Sequence, residues 1–299
     1  MSKIFHVLCA DNQVQICAID GKDIVEKAQK THDLSRVATA ALGRQLLMTS
    51  MMGSRLKNES DRVSSIIKGD GYAGSMICTA FPNGNVKGCV QNPDTELPLR
   101  SDGKLDVSAY VGKNGKLTVV RDMGFGDPYV GVCNLVSGEI AVDFAEYFTV
   151  SEQQPSIVYL GVRLEAETAK VLSAGGLILQ TLPGCDGDII NKMTELSSEI
   201  SKLSQELVGN KGIPVFLKNV FGAYEPVIEK EIEAEYFCDC SRERIEKALI
   251  SVGYDELTSM IEEDGHADVT CQFCNSEYHF TREDLIKLRW EAQNKKNEE

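Results

Sequence analysis

The tail of this chain carries four thiols in two tight pairs, Cys238 and Cys240 in "YFCDC" and Cys271 and Cys274 in "CQFC". No other feature restricts the fold as strongly. The stretch around them, residues 236–293, is too short to be held by an apolar core alone and calls for a metal or cross-links. CxC followed at a distance by CxxC has the ligand pattern of a tetrahedral zinc site. We therefore expect one zinc ion on Cys238, Cys240, Cys271 and Cys274. His279 is an alternative ligand, but four thiols already complete the shell.

The other six of the ten cysteines, Cys9, Cys17, Cys78, Cys89, Cys133 and Cys185, are scattered, mostly in apolar surroundings such as "SMICTAF" and "VGVCNLV". They read as buried free thiols acting as small hydrophobes. The start, "MSKIFHVLCAD", lacks the apolar stretch of a signal peptide, and no apolar run is long enough to span a bilayer. The expected location is the cytoplasm, where structural disulfides are rare. A formal net charge of -14 argues against nucleic acid as a partner.

The pattern along the chain predicts an α+β protein: an N-terminal mixed α/β core domain over residues 1–184, a helical linker over 185–235, a zinc-binding domain over 236–293, and a tail, 294–299. "IFHVLCAD" and "VQICAID" predict an opening hairpin, and residues 34–56 a long core helix rich in small residues. "RVSSIIKGD", "GSMICTAF", "GKLTVVRD", "SIVYLGVRLEA" and "KVLSAGGLILQTL" read as strands, with Asn83-Gly84 as a hairpin turn. From residue 186, Ile189, Met193, Leu196, Ile200, Leu203 and Leu207 form one apolar stripe on an otherwise polar helix. That stripe is either a permanent packing partner of the core or a detachable cover. In the tail, Ile245, Ala248, Leu249 and Val252 are placed on one helical face. Thr281 and Asp284 have capping-box spacing.

Catalytic motifs are missing from the chain. "GDGYAG", residues 69–74, matches GxGxxG, but a strand follows it where a dinucleotide site needs a helix. No phosphate loop supports ATP use, and neither HExxH nor GxSxG occurs. No catalytic residues are expected, and the chain is not read as an enzyme.

The chemistry of the thiols suggests more than a clamp. Four thiolates around a divalent ion carry an excess of two negative charges, so the sulfurs stay oxidisable. A disulfide across CxC closes a very small, strained ring of the labile kind. Structural zinc contributes about 10–16 kcal/mol to the folding of a small module, whereas disulfides closing loops of three or four residues contribute about 1.5–2 kcal/mol each. Exchanging the metal for two such bonds would unfold the module.

With these residues in view, the chain resembles the redox-regulated holdase chaperones of the thirty-three-kilodalton heat-shock protein family. "FCDCSRERIEKAL" and "IEEDGHADVTCQFCNSEYHFTREDL" look like that family's zinc module; "TAALGRQLLMTSMMGSRLK" and "SAGGLILQTLPG" look like its core. The resemblance implies an ATP-independent chaperone, idle while the thiolates hold zinc. Oxidative stress would form the disulfides Cys238–Cys240 and Cys271–Cys274, release zinc and unfold the module with the metastable linker. The active form would be a homodimer that binds unfolding client proteins, with no nucleic acid or membrane partner. In this scheme Cys271 and Cys274 sense peroxide, while Cys238 and Cys240 report on the linker. Two rival readings are a constitutive zinc-binding adaptor and a thiol–disulfide oxidoreductase. The latter needs its CxxC at a helix N-terminus, whereas here "ADVT" leads into a polar turn.

Overall fold

The computed structural model describes residues 1–209 and 211–298, with the side chains of 295–298 excepted. The elements run in the order β1 (Ser2–Cys9), β2 (Val14–Asp20), α1 (Lys22–His32), α2 (Arg36–Gly53), β3 (Arg62–Lys68), β4 (Ser75–Ala80), β5 (Val86–Val90), α3 (Val107–Val111), β6 (Lys116–Asp122), β7 (Tyr129–Asn134), α4 (Ile140–Val150), β8 (Ser156–Leu164) and β9 (Val171–Thr181). There follow α5 (Gly187–Glu195), α6 (Ser197–Ile200), α7 (Leu203–Val208), α8 (Gly212–Phe221), β10 (Val227–Ala234), α9 (Arg242–Val252), α10 (Tyr254–Glu263), β11 (Ala267–Thr270), β12 (Glu277–Phe280) and α11 (Arg282–Glu298). The fold is α+β, and it divides into two compact units, Met1–Phe237 and residues 238 onward.

The first unit holds two antiparallel sheets, ordered β10-β1-β2-β9-β8 and β5-β4-β3-β6-β7. The predicted opening hairpin is β1–β2, and the Asn83-Gly84 turn joins β4 to β5. Helix α2 packs against both sheets, which is why nearly every one of its side chains is buried, from Val37 to Gly53. Its small polar residues find partners there. Gln45 Nε2 donates to Ser65 O at 3.0 Å, and Ser50 Oγ donates to Gly84 O at 2.6 Å. A helix apolar or small on every side has no single stripe; it suits burial between two layers.

Helices α5 to α8 cover the other face of the first sheet. Met193, Ile200, Leu203, Leu207, Ile213, Phe216, Leu217 and Phe221 pack on Phe5, Val7, Ile16, Ala18, Leu177 and Leu179. The stripe is real, but it is broken into three short helices, α5, α6 and α7, rather than one. Glycines seat it: a Cβ on Gly175 would stand 2.5 Å from Leu207 Cδ1, and one on Gly161 would stand 2.7 Å from Ser204 Cβ. Ser204 also meets Tyr159 Oη at 2.7 Å, and its carbonyl accepts from Ser173 Oγ at 2.5 Å.

The acidic run "EKEIEA" forms most of β10, an edge strand paired with β1. Charged side chains on an edge discourage pairing with other chains. The strand then leads to the second sheet, where Phe237 N donates to Val86 O at 2.9 Å and Tyr236 Oη donates to Gly88 O at 2.7 Å. Tyr236 and Phe237, expected in the C-terminal module, thus belong to the first unit. Residues 294–298 continue α11, and residue 299 of the expected tail lies outside the described residues.

The second unit packs Leu249, Ile250, Leu257, Ile261, Phe280, Leu285, Leu288 and Ala292 into a small core. The face of α9 is rotated from expectation. Leu249 and Ile250 are buried and Ile245 partly so, whereas Ala248 and Val252 face solvent. The capping box is present: Asp284 N donates to Thr281 Oγ1 at 3.3 Å and Thr281 N to Asp284 Oδ2 at 3.0 Å.

Gly53 tests how tightly α2 is held. Helix propensity alone favours alanine there by about 1 kcal/mol. A Cβ, however, would stand 2.7 Å from Ala80 Cβ and from the Phe81 carbonyl oxygen, and overpacking of that kind costs about 1–3 kcal/mol. We expect Gly53→Ala to lower the denaturant midpoint; a raised midpoint would mean that the sheet yields freely.

Candidate metal centre

Two segments of the second unit converge. Cys238 and Cys240 lie on the loop before α9, whose N-terminus is capped by Ser241 Oγ accepting from Arg244 N at 3.3 Å. Cys271 and Cys274 lie on the turn between β11 and β12. Local chemistry shapes that turn. Cys271 O accepts from Cys274 N at 3.3 Å and Asn275 N at 2.8 Å, Cys271 N donates to Ser276 O at 2.9 Å, and Asn275 takes the left-handed region at φ 57°. The hairpin places both sulfurs on the side facing the first loop.

The four sulfur atoms lie within 4.8 Å of one another. Cys238 and Cys271 sulfurs are 3.8 Å apart, and those of Cys240 and Cys274 are 3.3 Å apart. A tetrahedron with metal–sulfur bonds of about 2.3 Å has edges of about 3.8 Å, so the spacing fits a metal ion. Both of these contacts are cross pairs, one sulfur from each segment, and Cys271 also meets Cys274 and Cys240. All ten cysteines are free thiols.

The surroundings act on the sulfurs unequally. Burial pushes the Cys271 thiol up. Burial also opposes ionisation of Cys274, but hydrogen bonds with Ser276 and the neighbouring thiols outweigh it and bring Cys274 down to about 7. A pre-lowered thiol eases metal binding, which requires deprotonation. Tyr278 Oη donates to Cys240 Sγ at 3.1 Å, and this bond, reinforced by burial and the nearby thiols, pushes the phenol up to about 12. Nothing in the sequence singles out Tyr278. Its place four residues after Cys274 carries no signal until β12 turns it back onto the cluster. Arg244 pairs with Asp239, the residue between the first two cysteines, so the guanidinium braces the CxC loop.

His279 is not in the cluster. Its Nδ1 meets Asp268 Oδ1 at 2.6 Å on the exposed face of the hairpin. Among the described residues, the cluster consists of the four cysteines alone. Of the scattered cysteines, Cys9, Cys17, Cys78 and Cys133 are buried, and Cys89 and Cys185 are half-buried. Burial raises the Cys9 and Cys133 thiols to about 11, which suits the inert role expected of them.

A family model described as Hsp33 protein matches residues 2–281. The chain belongs to the Hsp33 family. Among curated relatives, the 33 kDa chaperonin of Clostridium perfringens is 41% identical over 96% of this chain and 90% of its own length. The 33 kDa chaperonin of Clostridium tetani is 40% identical over 96% of this chain and 97% of its own. A crystal structure of the 33 kDa chaperonin of Thermotoga maritima, a heat shock protein 33 homolog, superposes with a TM-score of 0.84 at 34% identity, covering 98% of this chain and 99% of that one. The Hsp33 assignment makes this a chaperone, and no helix among the described residues is long and apolar enough to cross a membrane.

Groups that donate to a metal-bound thiolate commonly hold ten- to hundredfold in metal affinity. Tyr278→Phe removes the donor to Cys240 while keeping the ring. We expect metal affinity, measured by competition with a chromophoric chelator, to fall by about tenfold or more. Unchanged affinity would show that the hydroxyl is not supporting the site.

Proposed function

We propose that this Hsp33 protein is a redox-regulated, ATP-independent holdase that binds unfolding client proteins under oxidative stress. The single observation that carries the reading is the interleaving of the sulfurs. In the reduced state Cys238, Cys240, Cys271 and Cys274 hold one zinc ion, which ties the CxC loop to the β11–β12 hairpin. Oxidation removes two electrons from each pair of thiolates, which hold no protons while they bind the metal, and forms Cys238–Cys240 and Cys271–Cys274. Each new bond is local, so neither links the two segments that the metal had joined. The oxidant is hydrogen peroxide; each molecule takes up the two electrons with two protons from solvent and leaves as two waters, and zinc leaves because its thiolates are gone.

The energy balance then favours unfolding. The metal contributes about 10–16 kcal/mol to a module of this kind, and two small-loop disulfides return about 3–4 kcal/mol together. Among the described residues, the core of the second unit has eight buried apolar residues, too few to make up the difference. In this reading residues 185–235 are the metastable linker. Loss of order in the module frees the chain that follows Phe237, and the helices α5 to α8 become able to leave the first sheet. Their departure would expose Phe5, Val7, Ile16, Leu177 and Leu179, an apolar surface of the kind that recognises other chains. The active species is a cytoplasmic homodimer, and no step uses ATP.

Peroxide treatment should release one zinc ion per chain and, in parallel, suppress aggregation of a chemically unfolded test protein. Equal suppression by the reduced, zinc-loaded form would sink the switch and favour the constitutive adaptor. Peptide mapping of the oxidised protein should find the local disulfides; the cross pairs Cys238–Cys271 and Cys240–Cys274 would keep the module stapled and contradict the mechanism. Limited proteolysis should cut residues 186–236 faster after peroxide. Unchanged cleavage would show that α5 to α8 stay seated.

A further inference from the structure

The second sheet has one face packed and one face bare. Its strands alternate cleanly. Val63, Ser65, Ile67, Met76, Cys78, Ala80, Leu117, Val119 and Cys133 are buried on the side of α2. The opposite side presents Ile66, Ile77, Val120, Val130 and Val132. Val130 and Val132 are 54% and 45% exposed, although a valine in a covered strand would be nearly dry.

The charge on this face runs against that of the protein. The chain has a formal net charge of -14, yet the face carries Arg62, Lys68, Lys87 and Lys116, with Asp122 the one carboxylate among these strand positions. Lys68 and Lys116 sit directly opposite each other on β3 and β6. Like charges so placed destabilise a sheet, and neither lysine has a carboxylate partner among the described residues. At the other end, Arg62 donates to the carbonyls of Glu59 and Asp61 and lies 4.5 Å from the Phe81 ring centroid. Arg62 stands opposite Asp122 in the ladder, so the face is an aliphatic strip with an opposed charge pair at one end and the two facing lysines at the other.

Its margin is also open. Leu135 N donates to Gly115 O at 3.0 Å, which sets the alternation of the β6–β7 ladder. Gly131 and Cys133 turn their main-chain groups toward β6, and Val130, Val132 and Asn134 turn theirs to the edge. Ser151 Oγ donates to Val132 O at 3.3 Å, leaving the rest of that edge uncovered by this bond. Beside it lies a groove of about 400 Å³ lined by Lys116, Val132, Val136, Glu146 and Val150.

We propose that this bare face and the β7 edge form a docking surface for an extended, acidic polypeptide segment rich in aliphatic residues. The edge offers main-chain pairing to an extended strand. The valines and the groove take its alternate side chains, and Lys68 and Lys116 take its carboxylates. A nucleic acid or other polyanion would meet the cations but leave the aliphatic strip unused. The surface is exposed with the sulfurs reduced, so docking here does not depend on the switch proposed above.

The test uses full-length, reduced, zinc-loaded protein and two fluorescent decapeptides, one alternating Glu with Val and the other Lys with Val. The Glu–Val peptide should bind by anisotropy and the Lys–Val peptide should not. Lys68→Glu with Lys116→Glu should weaken binding by about tenfold or more, as loss of complementary charge does. Val130→Thr with Val132→Thr, which keeps strand propensity, should also weaken it. Methyl shifts should map to Ile66, Ile77, Val130 and Val132. The proposal is overturned if both peptides bind alike, if the folded variants retain affinity, or if the shifts map to the first sheet. Displacement of the peptide by inorganic polyphosphate at lower concentration would overturn it in favour of a polyanion site. Binding only after peroxide would also overturn it, while leaving the switch intact.

Discussion

The arrangement of the second unit depends on the fact that its sulfurs are interleaved. Cys238 stands beside Cys271 and Cys240 beside Cys274, so a metal held at their centre would be a long-range tie in a unit whose apolar core is small. Besides the small apolar core that α9 shares with Phe280 and α11 and the Tyr278–Cys240 bond, the links between α9 and the hairpin or α11 include polar contacts of a weaker kind. Arg242 Nη2 donates to Asp284 Oδ2 at 3.0 Å, and its guanidinium lies 4.3 Å from the Phe280 ring centroid. Surface ion pairs and exposed cation–π contacts are each worth about 1 kcal/mol or less. A metal held by the four sulfurs would contribute about ten times as much, enough to decide whether the unit keeps one structure.

The first unit is built on the opposite principle. Its α2 lies in a dry core between two sheets, where Gln45 Nε2 and Ser50 Oγ find Ser65 and Gly84, while Gln45 Oε1 is buried without a partner. Among the described residues, the one group of three or more side chains that could hold a metal lies in the second unit. Helices α5 to α8 are intermediate: they bury a full apolar stripe, yet they are short, and none of α5 to α8 has a side-chain N-cap bond. Short uncapped helices owe their stability to the surface beneath them. Such a layer is ordered while seated and has little structure of its own once lifted, which is the property required of a reversible cover.

Much of this is readable in the sequence because it follows from residue type and spacing. Strands β3, β4 and β6 announce themselves by period-two alternation, and the stripe from Ile189 to Leu207 by its threes and fours. The cysteine cluster is legible because two close thiol pairs in so short a module have the ligand number and spacing that a tetrahedral metal requires. What stays hidden depends on tertiary context. The acidic run "EKEIEA" lies in the stretch expected to be a helical linker, yet it forms β10, because β1 offers it an edge to pair with. The three-helix break in the stripe leaves hydrophobic spacing unchanged, since all six positions still face the sheet. Tyr278 and Ser276 are invisible as sulfur partners because their role depends on the turn at Asn275. The rotation of α9, which buries Ile250 rather than Val252, is set by α10 and α11, which no local pattern reveals.

The bare face of the second sheet raises a question of economy in the fold. The first sheet has both faces covered, one by α2 and the other by α5 to α8. The second has only one. An uncovered antiparallel face in a monomer usually becomes polar, with threonine, serine and paired charges along it. Ser64 and Thr79 follow that rule and bond each other at 2.8 Å, but Ile66, Ile77, Val130 and Val132 do not. The opposed lysines Lys68 and Lys116 forgo the favourable cross-strand pair that one acidic substitution would supply. Both departures weaken the isolated sheet, and both would be offset by the same kind of visitor, a chain that brings carboxylates and aliphatic side chains together.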